Sequence, residues 1–232
     1  MKEEKRDNKI TIKVKNVKNY DAVLKLDIMF LNLIIVVLEL MGMKRAFRYS
    51  YRTLRFYTTD SNIMVLITSA VMVLCALVCI IKKSDIPTWA VMLKYFSTCC
   101  ITMTFVIVMV VLLPGKLSKG YGFFILYHGA QIYHHTLCPI ISIITYVFFE
   151  KRISINFNCV LVAIIPTIIY GIVIIILNLK DIVYGPYPFL HIKEQSVIVS
   201  IFWAILLYTI ANSINVILYR IRFIHKRKTA NS

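Results

Sequence analysis

Apolar residues run in long blocks, separated by short polar or basic stretches. Six blocks stand out, at roughly 25–43, 56–81, 88–113, 123–149, 157–178 and 196–219. Each is about as long as the 20-residue helix needed to cross the ~30 Å hydrocarbon core of a bilayer. Inside a bilayer the backbone must satisfy its own hydrogen bonds, so each block predicts a helix. The expected fold is all-α: an integral membrane bundle of six transmembrane helices. Residues 25–219 would form this domain, flanked by basic tails at 1–24 and 220–232. The N-terminal tail is expected to be a disordered, lipid-attracted arm, although Lys9–Lys15 alternates like a short strand. Its polar opening is not the pattern of a cleavable signal peptide, whose apolar core begins earlier.

Composition agrees. The chain of 232 residues is 59% hydrophobic and 16% charged, with a mean hydropathy of +0.75. Soluble domains carry about 25% charged residues, and little chain remains here for a soluble domain. The net charge of +16 comes from 27 Lys+Arg against 11 Asp+Glu. These bases sit at the ends of the apolar blocks, so the charge reads as membrane topology and attraction to lipid headgroups rather than nucleic-acid binding. The tails and the turns near 82 and 150 hold 17 Lys/Arg, against 9 in the opposite loops. The positive-inside rule then places both termini in the cytoplasm. Membrane lipids are the expected surroundings, in a bacterial cytoplasmic membrane. All six cysteines fall within apolar blocks, where they act as small hydrophobes rather than as a disulfide framework.

Polar and ionisable residues within such blocks are the candidates for chemistry. Thr58 and Asn62 open the second block and share a helix face. With Asp60 and their neighbours they could also be a solvated helix cap. In the fourth block His128, Gln131 and His135 follow i, i+3, i+7 spacing, with Tyr127 and His134 beside them. Pro139 lies four residues beyond His135 and is expected to kink the helix there. Asn32 with Glu39, and Tyr208 with Asn212 and Asn215, form polar stripes expected to face the interior. In this topology Thr58, the histidines and Tyr187-Pro188-Phe189 converge in the outer half of the bundle. A threonine hydroxyl becomes a nucleophile toward an acyl carbon when an imidazole takes its proton.

Three blocks carry a resemblance. Arg55-Phe56-Tyr57-Thr58 is similar to a basic-aromatic-x-Thr start of a second helix. His134-His135-Thr136-Leu137-Cys138-Pro139 is similar to a His-containing stretch ending in proline, and Tyr187-Pro188-Phe189-Leu190 to a Tyr-Pro-Phe-Leu block before the last helix. In these the chain resembles the androgen-induced membrane proteins, threonine hydrolases of fatty acid esters of hydroxy fatty acids, and their bacterial multi-pass relatives. The resemblance implies a hydrolase of fatty-acyl esters with Thr58 as nucleophile and His134 or His135 as base. Asn62, His128, Gln131, Tyr187, Phe189 and Asn212 are the candidates for a pocket around a lipid-like substrate. The chain departs from that pattern in Thr59, which follows Thr58 and precedes Asp60-Ser61-Asn62. No cofactor or metal is expected. The histidines sit on one helix, where a tetrahedral zinc site needs converging ligands, and Cys138 lies too deep to be a reactive thiol. The competing reading is non-catalytic: a small transporter or a lipid- or ligand-binding bundle in which Glu39 and the histidines serve protons or solute.

Overall fold

The structure, a computed structural model, describes residues 2–48, 50–124, 128–150 and 155–230, with side chains between 21 and 222. Among these every regular element is helical. We number the long helices α1 (Lys2–Ala46), α2 (Tyr57–Lys82), α3 (Thr88–Leu117), α4 (Tyr133–Phe149), α5 (Asn158–Leu179) and α6 (Val197–Ala230). Four of them, α2, α3, α5 and the Val197–Arg222 part of α6, are long and apolar enough to cross a membrane. The apolar helix α4 is shorter. Many apolar side chains of α5 and α6 face outward, Ile169 and Ile198 among them. Lipid solvates such a surface as readily as a protein core does.

Contacts fix how the ends of the helices are arranged. Lys25 of α1 reaches Asp85 of the α2–α3 turn at 3.8 Å. Asn32 donates to Glu150, just past α4, at 3.1 Å. Phe157 meets Tyr219 edge to ring at 5.5 Å, and Arg222 donates to the Glu150 carbonyl. The start of the apolar part of α1, the α2–α3 turn, the α4–α5 turn and the end of α6 therefore share one end of the bundle.

Several expectations are corrected. Residues 2–24 are neither a disordered arm nor a strand; their backbone continues α1. No glycine or proline interrupts the chain before Gly42, and helix-favouring Lys and Glu are frequent there. Helix α6 likewise runs on to Ala230. Helix α3 passes through Pro114 to Leu117 instead of stopping at it. Its backbone opens into a π turn, Val108–Leu112, just before the proline. The same device recurs in α4, where a π turn at Tyr133–Leu137 precedes Pro139. A proline cannot donate to the carbonyl four residues back, and a wider turn absorbs that defect. Helix α4 also begins later than 123. Gly129 has φ +61°, in the left-handed region that glycine tolerates, and the long helix begins after it.

Candidate functional site

The start of α2 is tied down from outside its own helix. Phe56 is extended and no side chain caps the helix, so the capping reading of Thr58 and Asp60 fails. Instead the Tyr57 hydroxyl pairs with Thr167 of α5 at 2.8 Å, and Tyr170 donates to the Arg55 carbonyl at 2.8 Å. Thr59, Ser61 and Asn62 are buried. Ser61 locks α2 to α3 through Thr104 at 2.7 Å.

The Tyr-Pro-Phe-Leu segment folds back into this region. Tyr187 precedes a proline and is extended, as such residues are. Gly185 lies so close to the Leu190 carbonyl that a Cβ would collide with it. Tyr187 stacks on Phe189 at 5.1 Å, and Phe189 packs on Trp203 at 5.6 Å. The Thr58 N–H donates to the Tyr187 hydroxyl oxygen at 3.2 Å. Burial pushes the Tyr187 phenol up to about 12, so it keeps its proton at neutral pH. Its oxygen accepts from the Thr58 N–H, with the Thr58 side chain beside it.

Asn62 joins this layer to α4. Its amide donates to the Thr58 carbonyl at 2.5 Å and to the His134 carbonyl at 3.3 Å, while its own Oδ1 has no hydrogen-bond partner. The structure thus brings Thr58, Asn62, Tyr187, Phe189 and the α4 backbone at His134 together. The imidazole of His134 is turned the other way. Its Nε2 lies 3.5 Å from Glu39 Oε2 without a hydrogen bond, beneath Gly42. Among the described residues no hydrogen bond joins Thr58 to either imidazole. Buried His135 Nδ1 is also without a partner.

The other expected pocket residues lie apart. His128 and Gln131 are exposed, and His128 shares no helical face with His135, because the chain turns at Gly129. Asn212 is half-buried and Asn215 is buried, donating to the Val160 carbonyl at 3.3 Å. Tyr208 at 53% exposure faces outward, against the expected inward stripe. Tyr127 lies outside the described residues, as do Lys151 and Arg152 of the expected α4–α5 turn.

Three further buried ionisable groups are only weakly marked in the sequence. Lys94 is fully buried and donates to Ser69 at 2.7 Å. Glu150 and Arg222, expected in a turn and a tail, are 1% and 4% exposed. The available signal was a lone lysine within an otherwise apolar block. Beside α2 a cleft of about 930 Å³ opens between α2 and α5. Arg52, Arg55 and Asp60 line it with apolar Ile169, Val173 and Leu177. Among the described residues no three His, Cys, Asp or Glu side chains converge as a metal site would require, and all six cysteines are free.

Comparison of the chain with family models, with curated proteins and with solved structures gives no match.

Proposed function

We propose that the chain is a six-span protein of a bacterial cytoplasmic membrane, with both tails in the cytoplasm, that hydrolyses fatty-acyl esters inside the bilayer. The shared end of the bundle supports six alternating crossings, with α1 and α4 added to the four long apolar helices. The excess of Lys/Arg at that end supports its cytoplasmic side.

One observation carries the enzymatic reading: Thr58, Tyr187 and Asn62 meet in one hydrogen-bonded layer with the histidine-bearing turn of α4. In the mechanism, the Thr58 hydroxyl attacks the ester carbonyl carbon as its proton passes to the imidazole of His134 or His135. The phenol proton of Tyr187 donates to the carbonyl oxygen as negative charge develops there. The alkoxide leaves with the proton from the imidazole. Water then attacks the acyl-threonine, giving its proton to the same imidazole, which passes it to the Thr58 oxygen as the acyl bond breaks and the fatty acid leaves. Apo geometry need not hold the nucleophile against its base, because such bonds often tighten only with substrate. The cleft between α2 and α5 reaches Tyr57, Asp60 and Ser61, neighbours of Thr58, but not Thr58 itself, and a lipid-like substrate would arrive sideways past them. The cleft's volume lies within the range of about 300–1,000 Å³ usual for ligand sites.

The test is release of fatty acid from a long-chain acyl ester by the protein in lipid nanodiscs. Thr58→Ala is expected to abolish release while the protein stays monodisperse. Undiminished release by Thr58→Ala overturns the mechanism.

A further inference from the structure

Five deeply buried charged or imidazole side chains lie inside this bundle, one of which, His134, is also a candidate base for Thr58. Glu39 and Lys94 are 0% exposed, and His134, Glu150 and Arg222 at most 4%. They do not form one closed salt bridge. His134 Nε2 stands 3.5 Å from Glu39. Lys94 donates to Ser69, and lies in the electrostatic field of both Glu39 and Glu150. Glu150 accepts from Asn32 and faces Lys94 and Arg222. The groups facing Glu39 are thus His134 and Cys138 on α4 and Lys94 on α3.

These groups are strung along the bundle axis. Glu39, beside His134, and Asn32, which binds Glu150, are seven residues apart on α1, about 10 Å at a helical rise of 1.5 Å per residue. The file covers about a third of the ~30 Å hydrocarbon thickness, and internal water would complete it toward both ends. Glu150 sits at the shared end with Arg222. His134 sits within about one helical turn of exposed Gln131 at the other. Hydroxyl pairs flank the file: Thr68 with Ser97 at 2.6 Å and Thr98 with Ser142 at 3.2 Å. Glu150 Oε2, Asn32 Oδ1 and His134 Nε2 are buried and lack hydrogen-bond partners, and Glu39 has only the weakly donating Cys138 thiol beside it. Buried polar atoms of this kind are satisfied by internal water. A structural ion network would be expected to satisfy them within the protein.

We propose that this file is a proton path, running from the Arg222 end through Glu150, Lys94 and Glu39 to His134. Each hop moves one proton and no electrons. Protonated Glu39 gives its proton to the His134 imidazole, leaving a carboxylate and an imidazolium. The Lys94 ammonium then reprotonates Glu39 through intervening water and becomes an amine. Glu150 in its acid form restores the ammonium by the same route and recovers a proton from water at the Arg222 end, while the imidazolium gives its proton to water at the Gln131 end. The reverse sequence carries protons the other way, so direction follows the gradient. The path rests on the membrane-spanning reading and does not need Thr58.

The test reconstitutes the full chain into liposomes of neutral and anionic phospholipid that enclose a pH-sensitive dye. A potassium gradient with valinomycin sets the driving potential. Flotation first checks insertion; protein that stays out of the vesicles overturns the membrane reading and this one with it. Wild type is expected to relax the internal pH several-fold faster than protein-free vesicles, with no ester present. Glu39→Gln and Lys94→Met should fall to the protein-free rate, and Glu39→Asp, which keeps the acid, should retain part of the flux. Gly171→Ala should match wild type. Wild-type vesicles no faster than empty ones overturn the proposal whatever the folding of the variants. So does an inserted Glu39→Gln protein that conducts like wild type.

Discussion

Two glycines on different helices give a controlled measure of how closely α1 meets α4. Replacing a helical glycine by alanine restricts the unfolded chain and adds about 0.5–1 kcal/mol of stability when the new methyl meets nothing. Gly171 in α5 is such a site, with no atom within 4 Å of the position a Cβ would take. Gly42 in α1 is not. Its Cβ would stand 2.5 Å from His134 Nε2, 2.7 Å from His134 Cδ2 and 3.0 Å from Tyr133 Cβ. Real Cβ atoms do not come so near, so the imidazole or the helix must move. Overpacking of this kind costs about 1–3 kcal/mol. The helical gain is common to both variants and cancels between them. Gly42→Ala should therefore be less stable than Gly171→Ala by about 1–3 kcal/mol. Unfolding by sodium dodecyl sulfate in mixed micelles, followed by tryptophan fluorescence, measures the difference. If Gly42→Ala stabilises as much as Gly171→Ala, α1 does not approach His134 as described. The Glu39–His134 pair would then fail as well.

Further outcomes are expected along the same lines. Tyr187→Phe removes the acceptor of the buried Thr58 N–H, costing about 1–3 kcal/mol. It should lower ester turnover as well as stability, read by initial rates and by the same unfolding titration. Lys94→Met removes the donor to buried Ser69, and leaving that acceptor unsatisfied should cost about 1–3 kcal/mol, read by the same unfolding titration. Asn32→Leu deletes the hydrogen bond to Glu150 and should destabilise by about 1.5–3 kcal/mol, the range for bonds to a charged group. Gly185→Ala brings a methyl against the Leu190 carbonyl. It should open the Tyr187 loop, seen as faster proteolysis between 180 and 196.

Helix positions were readable wherever apolar length and flanking polarity agreed. The blocks at 56–81 and 157–178 correspond to Tyr57–Lys82 and Asn158–Leu179, because turns and charges bound them. The block at 88–113 stops just short of Pro114, where a helix in water would end, while π turns carry α3 and α4 past their prolines. The expected face through His128 and His135 required an unbroken helix, and Gly129 breaks it. Tyr208 was assigned inward from spacing alone. A tyrosine on an apolar helix can as well face outward, and spacing does not say which face is covered. Thr58, Asn62 and Tyr187 were singled out in sequence as polar groups beside apolar blocks, and the structure gathers them. The pairing of His134 with Glu39 was not legible, because it depends on how α1 and α4 rotate against each other. Lys94, Glu150 and Arg222 escaped for a related reason. Charges at helix ends ordinarily snorkel to water, and only the packing shows that Glu150 and Arg222 turn inward.

The most direct test of the central claim is chemical. The protein in lipid nanodiscs would be treated with a lipophilic fluorophosphonate, and the modified residue mapped by mass spectrometry. An activated hydroxyl forms a phosphorus–oxygen bond with the probe and expels fluoride. The account predicts one adduct, on Thr58, that is lost in Thr58→Ala and strongly reduced in His134→Ala or His135→Ala. Absence of an adduct from well-folded wild type, or an adduct that persists in Thr58→Ala, would contradict it.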